Sequence, residues 1–527
     1  MKRFHIFLLI FISTGIAQSQ FKLSPEIMKL NNVFQVINSL YVDSVPQKKI
    51  VEAAIEASLK ELDPHSSYIP KEEVERVNEP LEGSFDGVGI QFQIFEDTIL
   101  VVQTVTATPA EKVGILPGDR IIYINDNLVA GVKIKNPDVI KKLRGPRGTE
   151  VQVKMQRKGF PELILFKIIR DKIPVNSVDA TYMLSSEIGY IKVNNFGSTT
   201  ADEFSAAILK LKDSGMKKLI LDLQGNGGGY LNAAVDMSDE FLDRDKLVVY
   251  TQGLKQSKSI AKASALGGFE QGKLIVLVDE YSASASEIVS GAIQDWDRGI
   301  VIGRRTFGKG LVQRQIPLTD GSMLRLTTAR YYTPTGRSIQ KPYKDGVDKY
   351  HKELEERFKH GELINKDSIH FPDSLKYQTL RLKRTVYGGG GIMPDIFIPL
   401  DTTRYTDFHR KTVARGIINK IVVQYIDENR SALKNDYPTF ENFEKKFQIP
   451  ESEISKLKMQ ADKEKITYTD EILKKSLPLI NLQLKALIAR DIWSMTEYYR
   501  IMDGENEALQ KAIEILSKNS AYDKILN

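Results

Sequence analysis

Apolar positions fall at helical spacing near the start of the chain, in short strand-like runs through the next ninety residues, and in alternating blocks after that. Ser24, Pro25 and Glu26 suit a helix cap, a first turn and the positive end of a helix dipole. Ile27, Leu30, Val33, Phe34 and Ile37 then recur on one face. A second helical run, residues 50–62, stops at Asp63-Pro64. From 83 to 170 the pattern turns to strands at 99–102, 120–124 and 151–155, with a turn at Pro117-Gly118-Asp119. A short helix at 136–143 precedes the Gly145-Pro146 break. Strands at 218–223, 274–278 and 299–302 alternate with helices at 231–242 and 284–294, which predicts an α/β core.

Residues 343–387 are polar and charged, and predict an inserted loop with some helix. After the glycines 388–391 the chain turns apolar through Ile398 and then helical to the end, with apolar faces at 479–501 and 508–516. No fixed-period repeat is apparent. The expected organisation is an N-terminal helical region at 20–82, a β-rich module at 83–171, an α/β core at 172–400 interrupted by the insert, and a helical extension at 401–527.

Composition narrows the class. With 42% hydrophobic and 27% charged residues, the chain has the make-up of a soluble protein with a sizeable core. Its 74 basic and 68 acidic residues leave +6 and form no basic block, which argues against nucleic acid as a partner. Lys2, Arg3 and His5 precede an apolar stretch at 6–16 and small residues Gly15, Ala17 and Ser19, so 1–19 reads as a signal for export. The alternative is an uncleaved interfacial anchor, since the stretch falls short of the ~20 residues that span a bilayer. There is no cysteine, which removes disulfides, thiolate catalysis and lipidation through a terminal cysteine.

The candidate chemistry is a hydroxyl and an amine. In Tyr281-Ser-Ala-Ser-Ala-Ser-Glu287 serines alternate with alanines after a buried strand and open a helix, whose dipole and N–H groups favour developing negative charge. The plain alternative is a helix cap with small neighbours. Lys309 follows in Thr306-Phe-Gly-Lys-Gly310. A lysine acts as a base only when neutral, so burial must lower its pKa by roughly three units, about 4 kcal/mol. Phe307, Gly308 and Gly310 offer apolar cover and close backbone approach; the alternative is a solvated turn lysine. A phosphate loop at 303–309 fails because Gly310 stands where Ser or Thr must hold magnesium and the following residues look extended.

Two glycine patterns add binding surfaces. Leu221-Asp-Leu-Gln-Gly-Asn-Gly-Gly-Gly229 runs from a strand into a turn whose N–H groups suit an oxyanion; a dinucleotide fingerprint fails at Tyr230. Asp86-Gly-Val-Gly-Ile-Gln-Phe92 is a turn opening a strand, where free N–H groups suit a terminal carboxylate. The six histidines form no HExxH, no serine occupies GxSxG, and neither a metal nor any other cofactor is expected.

Taken in order, these segments resemble the carboxyl-terminal processing peptidases, or tail-specific proteases. The likeness also runs through Leu62-Asp-Pro-His-Ser66, Ala110-Glu-Lys-Val-Gly-Ile-Leu-Pro-Gly-Asp-Arg120 and Tyr332-Thr-Pro-Thr-Gly-Arg-Ser-Ile-Gln340. It covers residues 30–342 and 388–398. The resemblance implies Ser284 as nucleophile, Lys309 as general base and Gln313 as its support. It implies an oxyanion hole from the N–H groups of Ala285 and Gly228, and it makes Asp295 an acidic position of variable role. It implies a crotonase-like α/β protease core and a PDZ domain that grips a substrate tail at Gly87, Val88, Gly89 and Ile90. Gln224 departs from the family's frequent arginine, and the insert and C-terminal extension lie outside the shared core.

The expected protein is therefore an exported, periplasmic or equivalently placed serine endopeptidase acting on proteins with free apolar C-terminal tails. Membrane association, an adaptor or activator, and a homo-oligomer stay open. The alternative from another class is a non-catalytic PDZ scaffold that binds tails.

Overall fold

A computed structural model describes residues 24–526, so the expected signal at 1–19 lies outside the described residues. The chain divides into a unit ending at Leu62 and a larger unit from Asp63 onward. In the first, helices Pro25–Leu40 and Gln47–Lys60 form where the periodicity placed them, and the Ser24 hydroxyl accepts the Ile27 N–H (3.3 Å). No residue of Pro25–Leu40 is buried, and Ile27, Leu30 and Val33 stand about half exposed.

In the larger unit, six antiparallel strands, Ile90–Phe95, Thr98–Thr104, Arg120–Ile124, the short Asn127–Leu128, Glu150–Gln156 and Ile164–Ile169, form a separate β module with helix Asn136–Leu143. The paired strands Ser84–Gly87 and Asp171–Pro174 form its stalk. The module also rests on the helical extension: Arg120 pairs with Asp427 (2.6 Å), and Arg430 donates to the Val102 carbonyl (3.0 Å).

The core sheet runs Val178–Met183, Ile188–Val193, Lys218–Asp222, Lys273–Val278, Ile300–Gly303, Ile396–Phe397, parallel from the second strand on. Parallel strands are buried on both faces, so each carries two sets of apolar side chains. Ile191, Leu219, Leu221, Val276 and Val301 face the helices Thr200–Asp213, Leu231–Asp239 and Ala285–Asp295. Tyr190, Ile220, Ile275, Leu277, Ile300 and Ile302 face the other way, onto Leu509, Ala512, Ile515, Leu516 and Tyr522 near the C-terminus. The end of the helical extension is thus a layer of the core, while its preceding helices enclose a core of their own around Ile421, Phe443 and Leu484.

A second sheet joins Ser67–Ile69, Leu311–Pro317, Met323–Tyr332, Leu247–Gly253 and Gln256–Lys262. The insert holds helix Val347–Lys359 and a hairpin, Lys376–Gln378 with Thr385–Tyr387. The expected helix at 479–501 is two: Asp470–Ile492 ends at Trp493, and Ser494 caps Met495–Met502.

Candidate active site

Of the three serines in the run, two are committed to scaffold. Ser282 and Ser286 are fully buried and donate to the carbonyls of Leu223 (2.8 Å) and Asn226 (2.9 Å). Ser284 is only half-buried and has φ 54°, ψ −110°, a conformation that costs a non-glycine residue about 1–3 kcal/mol. Surrounding bonds hold it there. Its N–H donates to Glu287 Oε2 (2.8 Å), and its carbonyl accepts the Tyr331 hydroxyl (3.0 Å).

The same two groups hold the lysine loop. Glu287 Oε2 also accepts the Lys309 N–H (2.9 Å), while Oε1 takes the Gly308 N–H (2.8 Å) and the Thr306 hydroxyl (2.5 Å). The Tyr331 hydroxyl also lies against the Lys309 carbonyl. One buried carboxylate and one buried phenol therefore join the backbone at Ser284 to the backbone at Lys309. Burial raises the Glu287 pKa, with the four donated bonds opposing it.

Lys309 is half-buried, and burial lowers its pKa, with the charge of Arg325 adding to the effect. Its Nζ donates to Gln313 Oε1 (3.2 Å), and Gln313 Nε2 donates to the His65 carbonyl (2.7 Å). Close packing explains the flanking glycines: a Cβ on Gly308 would meet Lys341 Cβ at 3.1 Å, and one on Gly310 would meet the Gln340 nitrogen at 3.0 Å.

The glycine turn lies against the serine. A Cβ on Gly228, at φ +97°, would sit 2.8 Å from Ser284 Cβ and 3.0 Å from the Ala285 nitrogen. The Ala285 N–H has no acceptor among the described residues, but the Gly228 N–H donates to Asn226 Oδ1 (2.8 Å). Asn226 is buried and joins the two turns, since its carbonyl accepts the Ala283 N–H (3.0 Å) and its side chain donates to Val193 (3.0 Å). Gln224 is braced from the extension by Asn506 Nδ2 (2.8 Å). Asp295 is scaffold here: it pairs with the fully buried Arg337 (2.7 Å) and accepts the Thr335 N–H (2.9 Å).

In the β module a groove of about 340 Å³ lies between the strand from Ile90 and the helix Asn136–Leu143, lined by Val88, Gly89, Ile90, Phe92, Ile140 and Leu143 among others. The Val88 and Gly89 N–H groups have no acceptor among the described residues. Gly87 sits outside the lining, paired with Asp171. Arg144 lies over the Phe85 ring at the groove (4.1 Å) and pairs with Glu79.

Glu287, Asn226, Tyr331 and His65 were not singled out from the sequence. Glu287 had a signal, because Ser284-Ala-Ser-Glu287 is the S-x-x-E capping-box pattern. Asn226 had a weaker one, as the single amide within the glycines.

The model of peptidase family S41 matches residues 187–349, a PDZ domain 87–168, the activating protease CtpB N-terminal domain 13–73, and a family of unknown function 408–494. A "Carboxy-terminal-processing protease" of Bartonella bacilliformis is 37% identical over 334 residues, 62% of this chain and 75% of that one. A "Probable CtpA-like serine protease" of Staphylococcus aureus is 38% identical over 313 residues, 59% of this chain and 62% of its own length. Among solved structures, a photosystem II D1 C-terminal processing protease matches at 27% identity and TM-score 0.34, covering 60% of this chain and 91% of that one. The chain belongs to peptidase family S41, and within it to the PDZ-bearing carboxy-terminal-processing proteases.

Proposed function

We propose that the protein is an exported serine endopeptidase that holds the C-terminal tail of a protein substrate in its PDZ groove and hydrolyses a peptide bond upstream. Ser284 Oγ attacks the carbonyl carbon while neutral Lys309 takes its proton. The tetrahedral intermediate collapses with cleavage of the C–N bond, and Lys309 returns the proton to the leaving amine. Water, deprotonated by the same lysine, then hydrolyses the acyl-serine ester. Gln313 aims the lysine. The Ala285 N–H is the available oxyanion donor, and the Gly228 N–H joins it by sharing its proton with Asn226 Oδ1.

The observation that carries the reading is the joint tethering of Ser284 and Lys309 to Glu287 and Tyr331, in surroundings that lower the lysine pKa. The free Val88 and Gly89 N–H groups beside an apolar groove support the tail site. The basic and apolar start of the chain supports export to a periplasm or an equivalent compartment.

The test is cleavage of an unstructured reporter with an apolar C-terminal tail by the wild type, Ser284→Ala and Lys309→Ala. Loss of cleavage in both folded variants is expected, as is weaker cleavage when the tail carboxylate is amidated. Wild-type protein that binds the tail and cleaves nothing, with or without an activator, would replace this reading with the scaffold.

A further inference from the structure

The polar insert, expected as a loop with some helix, holds helix Val347–Lys359, and one face of that helix is buried against the lysine loop. Tyr350 and Arg357 are 2% and 3% exposed, and with Glu353 they share that face at i, i+3 and i+7. Arg357 donates to the carbonyls of Arg305 (2.6 Å) and Thr306 (3.2 Å). Glu353 pairs with Lys341 (3.0 Å) and with Arg305 (3.4 Å). Tyr350 packs edge-on against Phe307, their ring centroids 6.0 Å apart, and Lys341 Nζ lies over both rings, at 3.9 Å from Phe307 and 4.3 Å from Tyr350. All three residues thus bear on the segment that ends in Lys309.

A second line of contacts leads from the same tyrosine to the amine. The Tyr350 hydroxyl bonds His65 Nε2 (2.7 Å), the His65 carbonyl accepts Gln313 Nε2 (2.7 Å), and Gln313 Oε1 accepts Lys309 Nζ (3.2 Å). The histidine ring stands edge-on to Tyr350, with centroids 5.2 Å apart. Cover and hydrogen bonds both start from Tyr350, one residue past the family match, which ends at 349 in the first turn of this helix.

We propose that the insert helix is a positioning element for the general base: Tyr350, through His65 and Gln313, aims Lys309 and keeps water from its pocket. The proposal rests on the reading of Lys309 as the base. The charged and titratable groups facing Lys309 are Arg325 from the adjoining strand, Glu287 from the serine helix, and Asp63 and His65 from the loop below. His65 itself faces Lys341 and His351, and burial lowers its pKa to about 4, so it is neutral at pH 7 and its ring adds no charge beside the lysine. Arg357, capping two carbonyls, would stabilise the loop whatever the lysine did; Tyr350 separates the two roles.

The experiment measures kcat and KM against pH for wild type, Tyr350→Phe and Tyr350→Ala, and follows Lys309 reductive methylation with pH by mass spectrometry, which reads its pKa without activity. The Ala variant is expected to move the acid limb of kcat/KM, and the methylation midpoint, upward by a unit or more. At pH values below both midpoints its kcat/KM then falls about tenfold or more. The Phe variant keeps the cover and loses the His65 bond, so the limb stays while kcat drops at least threefold with KM unchanged. A Phe variant with wild-type kcat would overturn the proposal whether or not the Ala variant folds. So would an Ala variant that loses activity equally at every pH with the methylation midpoint in place. Failure of the base reading shows separately, as cleavage retained by Lys309→Ala.

Discussion

Replacing Glu287 by glutamine tests whether one carboxylate organises the catalytic pair. Its oxygens receive four donors: the N–H groups of Ser284 and Lys309 on Oε2, and the Gly308 N–H and Thr306 hydroxyl on Oε1. An amide has one acceptor oxygen, so its NH2 must face one of these pairs. The milder choice turns NH2 toward Thr306, whose hydroxyl oxygen can accept; the Gly308 N–H then loses its acceptor, and the Thr306 hydroxyl hydrogen must turn away from the site. One buried orphan donor costs about 1–3 kcal/mol, and the loss of charge-assisted bonding adds to that. Glu287→Gln should therefore lower stability by about 2–4 kcal/mol and reduce kcat, since Lys309 hangs from the same loop.

Urea unfolding followed by tryptophan fluorescence reads the first effect, and reporter cleavage the second. The double-mutant cycle with Thr306→Val should return a coupling of about 0.5–3 kcal/mol. Burial raises the folded-state Glu287 pKa above its ordinary 4.5, so the native state holds the proton more tightly than the unfolded chain. Its contribution to stability then declines as pH rises from 4.5 through the folded value. Glutamine has no such titration, so the gap between wild type and variant should narrow over that range. A variant as stable and active as wild type, or a gap that widens with pH, would refute the account.

Gly228→Ala puts a Cβ 2.7 Å from the Ala283 carbonyl and 2.8 Å from Ser284 Cβ; cleavage should fall by about 100-fold or more as the nucleophile shifts, read as kcat in folded protein. Burial raises the Asp503 pKa to about 7 while Tyr182 donates to it (2.5 Å), so its contribution to stability, about 4 kcal/mol over the full titration, fades as pH rises from 3.8 through 7. Asp503→Asn should remove that slope in melting curves taken from pH 5 to 8. Leu509→Ala, on the helix covering the second face of the core sheet, should cost about 2–5 kcal/mol in urea unfolding, and a value under ~1 kcal/mol would contradict that covering role.

The candidate reacting groups can be picked out because the chemistry proposed for them is written locally. A serine among alanines before a helix, a lysine between glycines and a glutamine four residues on keep their character wherever the chain goes. The scaffold was less legible because it is made over long separations. Tyr331 meets the Ser284 carbonyl from 47 residues away, and His65 meets Gln313 across 248. The near-continuous apolar runs within 218–223 and 274–278 show that the core strands have two buried faces. Nothing in those strands says that the second is covered by residues 507–526. A helical period likewise runs through 479–501, but it does not register the turn at Trp493, where Ser494 supplies a new cap.

The insert shows what polar composition leaves open. In sequence, Tyr350, Glu353 and Arg357 lie among mostly charged neighbours, in a stretch that predicts a loop with some helix and does not say which face is covered. Buried, the same charges are retained because each has a specific partner: two carbonyls for Arg357, Lys341 and Arg305 for Glu353. Burying a guanidinium is costly unless its donors are satisfied. Here two of the Arg357 nitrogens bond the Arg305 and Thr306 carbonyls, while Nε stays buried without a hydrogen bond, and those two bonds fix the loop that ends in Lys309. Fixing that loop matters for a lysine base in particular. Its pKa depends on how much water reaches the amine, so a small opening of the pocket changes the fraction of neutral amine even when the serine is untouched. On the proposed reading, a serine–lysine pair needs a more rigid enclosure than its two groups suggest, and part of that enclosure comes here from outside the residues matched by the family.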